Sequence, residues 1–155
     1  MTLAQYLAEL RDRQVTVIGI GVSNRPLLRL LAQAGAQVTA RDKKTEEQLG
    51  DIIPQLKEWG VRLVLVTLGA HGAFYRFDGH TGHVPGVPCK VGDTNGSGDT
   101  FFGAALSQLV KLDSLDQLTV PELRRILAFA NKAASITTSR HGAIPAMPTL
   151  EEVLG

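Results

Sequence analysis

The sequence has little of several features that would define a compartment or a partner. It contains one cysteine, Cys89, so it cannot form an internal disulfide and needs no oxidising compartment. Its 16 Lys and Arg residues against 15 Asp and Glu residues leave a formal charge of +1, which gives no reason to expect a nucleic acid or membrane partner. No apolar run is long enough to span a bilayer, and Met1 to Arg13 is amphipathic rather than a signal peptide. We therefore expect a cytoplasmic protein.

Composition and the spacing of apolar segments predict a single α/β domain. The chain has 155 residues, of which 44% are hydrophobic and 20% are charged, as in ordinary globular proteins. Short apolar runs at 15–19, 37–40 and 61–68 are typical of buried strands. The third run is the most continuous, so we expect it at the centre of a parallel sheet. Strands that alternate with helical patterns favour a three-layer Rossmann-like α/β fold with a mainly parallel sheet.

Turn and cap residues mark the remaining elements. The segments 73–77 and 81–84 flank Asp78-Gly79-His80, and this arrangement predicts a β-hairpin. Thr149 is a candidate N-cap for a last helix. Helices are expected at about 3–11, from Pro26 to Gly35, from Thr45 to Gly60 with an interruption at Pro54, and at about 97–112, 120–139 and 149–154.

A glycine-rich turn, Gly92-Asp93-Thr94-Asn95-Gly96-Ser97-Gly98-Asp99, runs straight into an apolar helix. Glycines let backbone N–H groups approach an anion, and a helix N-terminus adds unpaired donors and a positive partial charge. An acid at Asp99 can accept the proton of a hydroxyl that attacks a phosphate. The same residues also fit an ordinary helix entry in which Ser97 or Asp99 caps the first turn. The residues alone leave both interpretations open.

This turn resembles the second signature of the ribokinase/PfkB family of sugar kinases, Asp-Thr-x-Gly-Ala-Gly-Asp-x-Phe, with Ser97 in place of the usual alanine. The segment 64–73 resembles the strand and nucleotide-binding turn of that family, and 130–134 and 138–143 resemble its later helix and closing loop. The likeness covers about residues 60–155, and within the family this part of the sequence most resembles bacterial fructokinases. It implies a ribokinase-like fold with C-terminal helices.

The resemblance implies a catalytic role for the glycine-rich turn. Asp99 would be the general base that takes the proton from a sugar hydroxyl. The backbone N–H groups of Gly96, Ser97 and Gly98 would form the anion hole for the transferring phosphoryl group.

The resemblance also implies a nucleotide site that takes ATP or ADP. Thr67, Gly69 and Gly72 would lie along the nucleotide, and Asn131 would lie near the adenine. Asp93 falls where many members of the family hold a monovalent cation such as K⁺. Each residue has a structural alternative: the glycines can serve the turn alone, Asn131 can be a polar residue on a helix face, and Asp93 can cap a turn.

Other features of the kinase family are not recognisable in this sequence. The sugar-binding groups, the Gly-Gly signature and the lid of the family have no counterpart that we identify. The Asn-x-x-Glu motif linked to Mg²⁺ is absent, because the third residue after Asn24, Asn95 and Asn131 is never Glu. Orientation of substrates alone can contribute about 7–11 kcal/mol to a reaction. We therefore expect nucleotide or phosphate binding, with sugar phosphorylation weak or absent.

Residues 1–60 resemble a different family, the N-terminal UDP-binding domain of Mur ligases of the MurD type. The resemblance is carried by the segments 15–26 and 35–44, a glycine turn before a helix and an acid after the next strand. It implies a diphosphate turn at Val22 and Ser23, with Asp42 and Lys43 near the uridine. The alternative is that the glycines before Val22 only permit a tight strand-to-helix turn.

The two resemblances predict a chimera of two α/β fragments, 1–60 and 61–155, joined within about 45–62. Besides nucleotide binding, two other functions follow from this prediction. One is a folded hybrid scaffold with no ligand or activity, and the other is UDP binding by the first fragment. A splice of this kind can leave an unpaired strand edge or an apolar face, so a homodimer is a further expectation.

Overall fold

A computed structural model describes residues 2–18, 25–42, 54, 56 and 58–155 of the chain. Its contacts divide the chain into two compact units. The first unit consists of Met1–Leu68 and Phe74–Gly82, and the second of Gly69–Ala73 and His83–Gly155. The strand after residue 60 and most of the hairpin belong to the first unit. These units are defined by contacts in space, and the division of the sequence into fragments 1–60 and 61–155 stays a prediction.

The elements of the first unit follow the predicted alternation of helices and strands. Their bounds are α1 Leu3–Glu9, β1 Gln14–Ile18, α2 Arg25–Gln33, β2 Gln37–Asp42, β3 Leu63–Thr67, β4 Ala73–Phe77 and β5 His80–Val84, where the last two strands extend slightly into the second unit. The helix expected from Thr45 to Gly60 lies mostly outside the described residues. Within that range, the described residues 54, 56 and 58 are helical.

The five strands form one sheet in the order β1-β2-β3-β4-β5. β1 pairs with β2 and β2 pairs with β3 in parallel, with Val15 opposite Val38 and Thr39 opposite Leu63. β3 is therefore the central strand, as expected, and its residues Leu63–Val66 are buried on both faces. The Asp78 amide, just after β4, donates to the Arg62 carbonyl, just before β3, so these two strands run in opposite directions.

The hairpin between β4 and β5 turns at Asp78 and Gly79. Both residues have positive φ angles, 45° and 88°. Two successive left-handed residues define a type I′ turn, whose twist matches that of the flanking strands, and Asp-Gly is a preferred pair for it. The hairpin predicted from this dipeptide is confirmed.

The core of the first unit lies between the sheet and its helices. Partly buried side chains also pack against this core, among them Leu7, Leu10 and Trp59. Its buried members are Leu28, Leu31, Ala36, Val38, Leu56, Val61, Val64, Val66 and Phe74.

The second unit is helical. After a short 3₁₀ turn at Gly69–His71 it contains α3 Ser97–Leu109, α4 Val120–Thr138 and α5 Leu150–Leu154. The Thr149 hydroxyl accepts from the Glu152 amide and the Glu152 side chain accepts from the Thr149 amide, so the predicted cap is confirmed as a capping box. α3 packs along α4, and the largest fully buried side chains of these two helices are Phe101, Leu109, Leu123 and Leu127. None of the helices that the structure describes is long and apolar enough to cross a membrane.

Candidate functional site

The glycine-rich turn leads into α3 through a left-handed residue. Gly96 is the N-cap and has a φ of 77°. A Cβ at this position would lie 3.1 Å from Cα and Cβ of Ala143, so the backbone of the turn approaches the loop after α4 closely. Conformation and space both favour glycine here. The N-cap residue is a glycine, so the N-cap position itself offers no side-chain acceptor to the first turn of α3.

The first turn of α3 presents backbone donors. The Thr100 amide donates to the Gly96 carbonyl at 2.8 Å, and the Ser97 amide makes only a long contact of 3.4 Å with the Thr94 carbonyl. Within the described part of the chain, the amides of Gly96 and Gly98 have no hydrogen-bond acceptor. Unpaired amides at a helix N-terminus, together with its positive partial charge, favour an anion.

Asp99 and Ser97, two polar residues of this turn, differ in their surroundings. Asp99 is an exposed residue in the first turn of α3. The Ser97 hydroxyl lies 2.7 Å from the Thr138 hydroxyl, which itself donates to the Ala134 carbonyl at 2.8 Å. Because the Thr138 proton is used, Ser97 is the donor of the first bond. Its hydroxyl is therefore directed to α4, and only its amide is left for an anion.

The Asp93 carboxylate joins the turn to the loop that follows α4. It accepts from the Asn95 amide at 3.0 Å, the Asn95 side chain at 3.4 Å and the Gly142 amide at 3.2 Å. The hydrogen bonds from the Asn95 and Gly142 amides hold the pKa of Asp93 below its ordinary value. Asp93 thus caps a turn, the structural alternative for this residue, while its cation-binding role stays a prediction. Among the described residues, no cluster of three or more His, Cys, Asp or Glu side chains could hold a metal ion.

Two of the residues expected to contact a nucleotide, Gly72 and Asn131, lie against one segment, 84–86. Gly72 has a φ of 93°, and a Cβ there would collide with the Val84 carbonyl and the Gly86 amide. Asn131 is buried in α4 and its side-chain amide donates to the carbonyls of Val84 and Pro85, at 3.1 and 3.0 Å. Gly72 and Asn131 therefore both lie against the Val84 carbonyl oxygen. The amide of Asn131 is used by the chain itself at this point.

The other residues predicted for the nucleotide and for UDP are less completely placed. Gly69 begins the 3₁₀ turn with a φ of 59° and has open space where a Cβ would be. Thr67 is the last residue of β3, in the first unit, and is half-buried. Asp42 is the last residue of β2. Val22, Ser23 and Lys43 lie outside the described residues.

Two contributors to this region were not predicted as site residues. One is Thr138, which the family resemblance includes only as part of the closing loop, and the other is the segment 84–86. Thr138 lies 41 positions from Ser97, and Asn131 lies 47 from Val84. The signal that could have drawn attention to Thr138 is the serine at 97, since a hydroxyl in place of alanine needs a partner.

Comparison with solved structures identifies the fold as ribokinase-like α/β. Ribokinase from Thermotoga maritima superimposes with a TM-score of 0.68 at 25% identity, covering 96% of this chain and 50% of that protein. Fructokinase with bound ATP from Xylella fastidiosa gives a TM-score of 0.71 at 21% identity, covering 97% of this chain and 62% of that protein, and shows the same fold.

The family follows from the sequence comparisons. The pfkB family carbohydrate kinase pattern matches residues 29–150, so the chain belongs to this family. Ribokinase from Staphylococcus aureus is 33% identical over 144 residues, 93% of this chain and 43% of its own length. Probable fructokinase-2 from Arabidopsis thaliana is 43% identical over 97 residues, 61% of this chain and 28% of its own length. The chain thus spans less than half the length of these curated relatives.

The kinase similarity begins earlier than we expected. The family match starts at residue 29, and the alignment with the staphylococcal ribokinase covers 93% of the chain. Both reach into residues 1–60, the part of the chain whose resemblance to Mur ligases predicts a separate fragment. The comparisons support one family along most of the chain, and the chimera and its Mur-ligase-like half are not supported by them.

Proposed function

We propose that this chain is the nucleotide-binding part of a PfkB-family carbohydrate kinase and that it binds ATP or ADP through the glycine-rich turn. The observation that carries the proposal is the entry to α3. Gly96 is left-handed, and the amides of Gly96 and Gly98 have no acceptor in the described chain. Donors of this kind stabilise the charge of a phosphoryl group without reorganisation.

Relatives support a nucleotide as the anion. The Xylella fructokinase of the same fold holds bound ATP, and an aminoimidazole riboside kinase from Salmonella enterica with a TM-score of 0.72 holds an ATP analogue. In this chain we propose contacts from Gly69, Gly72 and the neighbourhood of Asn131, with Thr67 as a further candidate.

The chemistry we propose for this turn is phosphoryl transfer to a sugar hydroxyl, with fructose and ribose as the candidate sugars. Asp99 accepts the hydroxyl proton while the sugar oxygen bonds to the γ-phosphorus. The bond from that phosphorus to the bridging oxygen of ADP breaks, and ADP leaves with its electron pair. The amides at Gly96–Gly98 stabilise the charge on the transferring group. We propose that sugar phosphorylation by this chain is weak or absent, because the family's sugar-binding groups are not recognisable in it.

Cations are part of the same proposal. Mg²⁺ would accompany ATP as its counter-ion, since the Asn-x-x-Glu motif is absent from the sequence. For K⁺ the fit of Asp93 is only partial, because three N–H donors already face its carboxylate. An ion there would depend mainly on backbone carbonyl oxygens.

Several finer expectations stay predictions. These are a homodimer, a cytoplasmic location, the chimeric origin, and UDP binding at Val22, Ser23, Asp42 and Lys43. The alternative function, a folded scaffold without a ligand, predicts a cooperative melt that ATP does not change.

Calorimetric titration with ATP and Mg²⁺ tests the proposal. Gly96→Ala removes the left-handed glycine, and Gly103→Ala is the matched control, because Gly103 lies within α3 with open space where its Cβ would be. We expect the wild-type chain and Gly103→Ala to bind ATP alike, and Gly96→Ala to lose at least about tenfold in affinity, since the strain displaces the amides. Absence of wild-type binding at millimolar ATP would overturn the proposal. A parallel titration with UDP tests the alternative, and binding of UDP without binding of ATP would favour the UDP-binding function.

A further inference from the structure

We propose that Thr138, the last residue of α4, is a positioning residue that holds the anion-binding turn at both of its ends. The inference rests on the proposed function, because it assigns the geometry of the anion hole to a residue that does not touch the anion. It is drawn from four hydrogen bonds that meet at this one threonine.

The main chain of Thr138 holds the beginning of the turn. Its carbonyl oxygen accepts from the Gly92 amide at 2.8 Å and from the Asp93 amide at 3.1 Å. The carbonyl is available because it lies in the last turn of α4, where helical acceptors have no intrahelical donor. The approach is close, since a Cβ on Gly92 would lie 2.9 Å from the Ser139 carbonyl oxygen.

The side chain of Thr138 holds the end of the turn. Its hydroxyl accepts from Ser97 at 2.7 Å and donates to the Ala134 carbonyl at 2.8 Å. The proton of Thr138 is thereby oriented along the helix, which leaves its oxygen lone pair directed at Ser97. Ser97 is the residue whose amide stands between those of Gly96 and Gly98.

One residue therefore sets the separation of the two ends of the turn. An anion hole works only when its donors stay within about 0.5 Å of the productive geometry. Ser97 is where the family signature usually has alanine, so the hydroxyl pair belongs to this chain's version of the turn. Loss of the Thr138 hydroxyl leaves the start of the turn attached and its end free.

A purely structural role is the alternative, because threonine hydroxyls often bond the carbonyl four residues earlier in a helix. Ser135 provides the comparison. It lies in the same helix and its hydroxyl donates to the Lys132 carbonyl at 2.8 Å. Removing that hydroxyl changes α4 without touching the turn.

The test uses four variants of the full chain. Thr138→Val removes the hydroxyl and keeps the branched shape and the carbonyl, Thr138→Ser restores the hydroxyl, and Ser97→Ala removes the same bond from the other side. Ser135→Ala is the matched control. Two quantities are measured: the dissociation constant for MgATP by calorimetry, and the amide chemical shifts of Gly96 and Gly98 by NMR in the ligand-free chain.

We expect Thr138→Val and Ser97→Ala to weaken ATP binding by about fivefold, the equivalent of one ordinary hydrogen bond. Both should also shift the amide signals of Gly96 and Gly98. Thr138→Ser should return the affinity and the signals to near wild type, and Ser135→Ala should change neither. The double variant Ser97→Ala, Thr138→Val should lose little more than a single one, because both remove the same bond.

The outcomes separate this inference from the proposed function. If the wild-type chain binds ATP and Thr138→Val binds it equally with unchanged amide signals, the positioning role is overturned and nucleotide binding stands. If the wild-type chain does not bind ATP, the proposed function fails, and the amide signals alone decide whether Thr138 holds the turn. If Thr138→Val does not fold, Ser97→Ala supplies the same comparison with α4 intact.

Discussion

The Asp93 carboxylate accepts a hydrogen bond from the Gly142 amide at 3.2 Å, across 49 positions of sequence. The same carboxylate accepts from the Asn95 amide two residues further on, at 3.0 Å. One side chain thus shapes the turn before α3 and ties it to the loop after α4. Both partners are N–H donors, so they stabilise the charged form and hold the pKa of Asp93 below its ordinary value.

This relationship predicts how stability changes with pH. The folded chain has the lower Asp93 pKa, so the contribution of the carboxylate is fully present above the ordinary aspartate pKa and is lost as pH falls through the lowered one. We expect Asp93→Asn to lower the melting temperature at neutral pH and to differ less from wild type as the pH falls below the ordinary aspartate pKa. Calorimetry at several pH values measures this, with exposed Asp113→Asn as the control. A constant difference across those pH values would contradict it.

Gly72 and Gly69 provide a matched pair for the turn that precedes β4. Both have positive φ angles, 93° and 59°, but only at Gly72 would a Cβ collide with other backbone atoms, those of Val84 and Gly86. We expect Gly69→Ala to destabilise by about 1–2 kcal/mol from conformation alone, and Gly72→Ala to cost about 1–3 kcal/mol more from overpacking. Urea unfolding of the two variants measures the difference. Equal free energies of unfolding would show that the close approach at Gly72 is readily relaxed.

Local signals account for what the sequence predicted well. The Asp-Gly pair predicted the hairpin, and Thr149 predicted the cap of α5, because a turn or a cap involves residues only a few positions apart. The continuous apolar run of β3 predicted a central strand for a similar reason. The glycine-rich turn was recognised as a helix entry and as a family signature from a contiguous string.

Long-range contacts account for what the sequence did not predict. The bonds from Ser97 to Thr138 and from Gly142 to Asp93 join residues 41 and 49 positions apart, and no local pattern encodes them. Asn131 was expected near the adenine, and the structure adds a bond to the Val84 carbonyl that the helix pattern could not indicate. The similarity of residues 29–60 to sugar kinases was also missed, because helices and strands of this kind occur in many α/β families.

The buried Asn131 side chain provides a prediction in which a carboxylate replaces a hydrogen-bond donor. Its side-chain amide donates to the carbonyls of Val84 and Pro85, and the residue is buried. Asn131→Asp has nearly the same shape but places a carboxylate against two carbonyl oxygens. We expect a loss of at least about 2 kcal/mol at pH 7, because a buried charge is left without donors.

Two comparisons make the Asn131 prediction specific. Lowering the pH should restore part of the stability of Asn131→Asp, since the protonated acid can donate to one carbonyl. Gln108→Glu is the control, because its oxygen can still accept from Lys111, as that of Gln108 does at 2.8 Å. Thermal melts at pH 7 and pH 4 measure both. Wild-type stability for Asn131→Asp at pH 7 would mean that the two carbonyls do not depend on this amide.

Asp99 gives the prediction on which the proposed chemistry depends. The residue is exposed in the first turn of α3, beside the backbone amides that would bind the phosphates. A change of its side chain leaves those amides in the chain. Asp99→Asn keeps the shape and removes the base, so we expect ATP affinity to change by less than about twofold while any phosphoryl transfer falls by about 10²- to 10⁴-fold. Radiolabelled ATP with fructose, ribose or water as acceptor, followed over long incubations, detects slow transfer by the wild-type chain. Gly103→Ala, elsewhere in α3, is the control for both measurements. Phosphoryl transfer at the wild-type rate in Asp99→Asn would show that the carboxylate is not the base. The amides and the nucleotide would then be sufficient for the transfer without it.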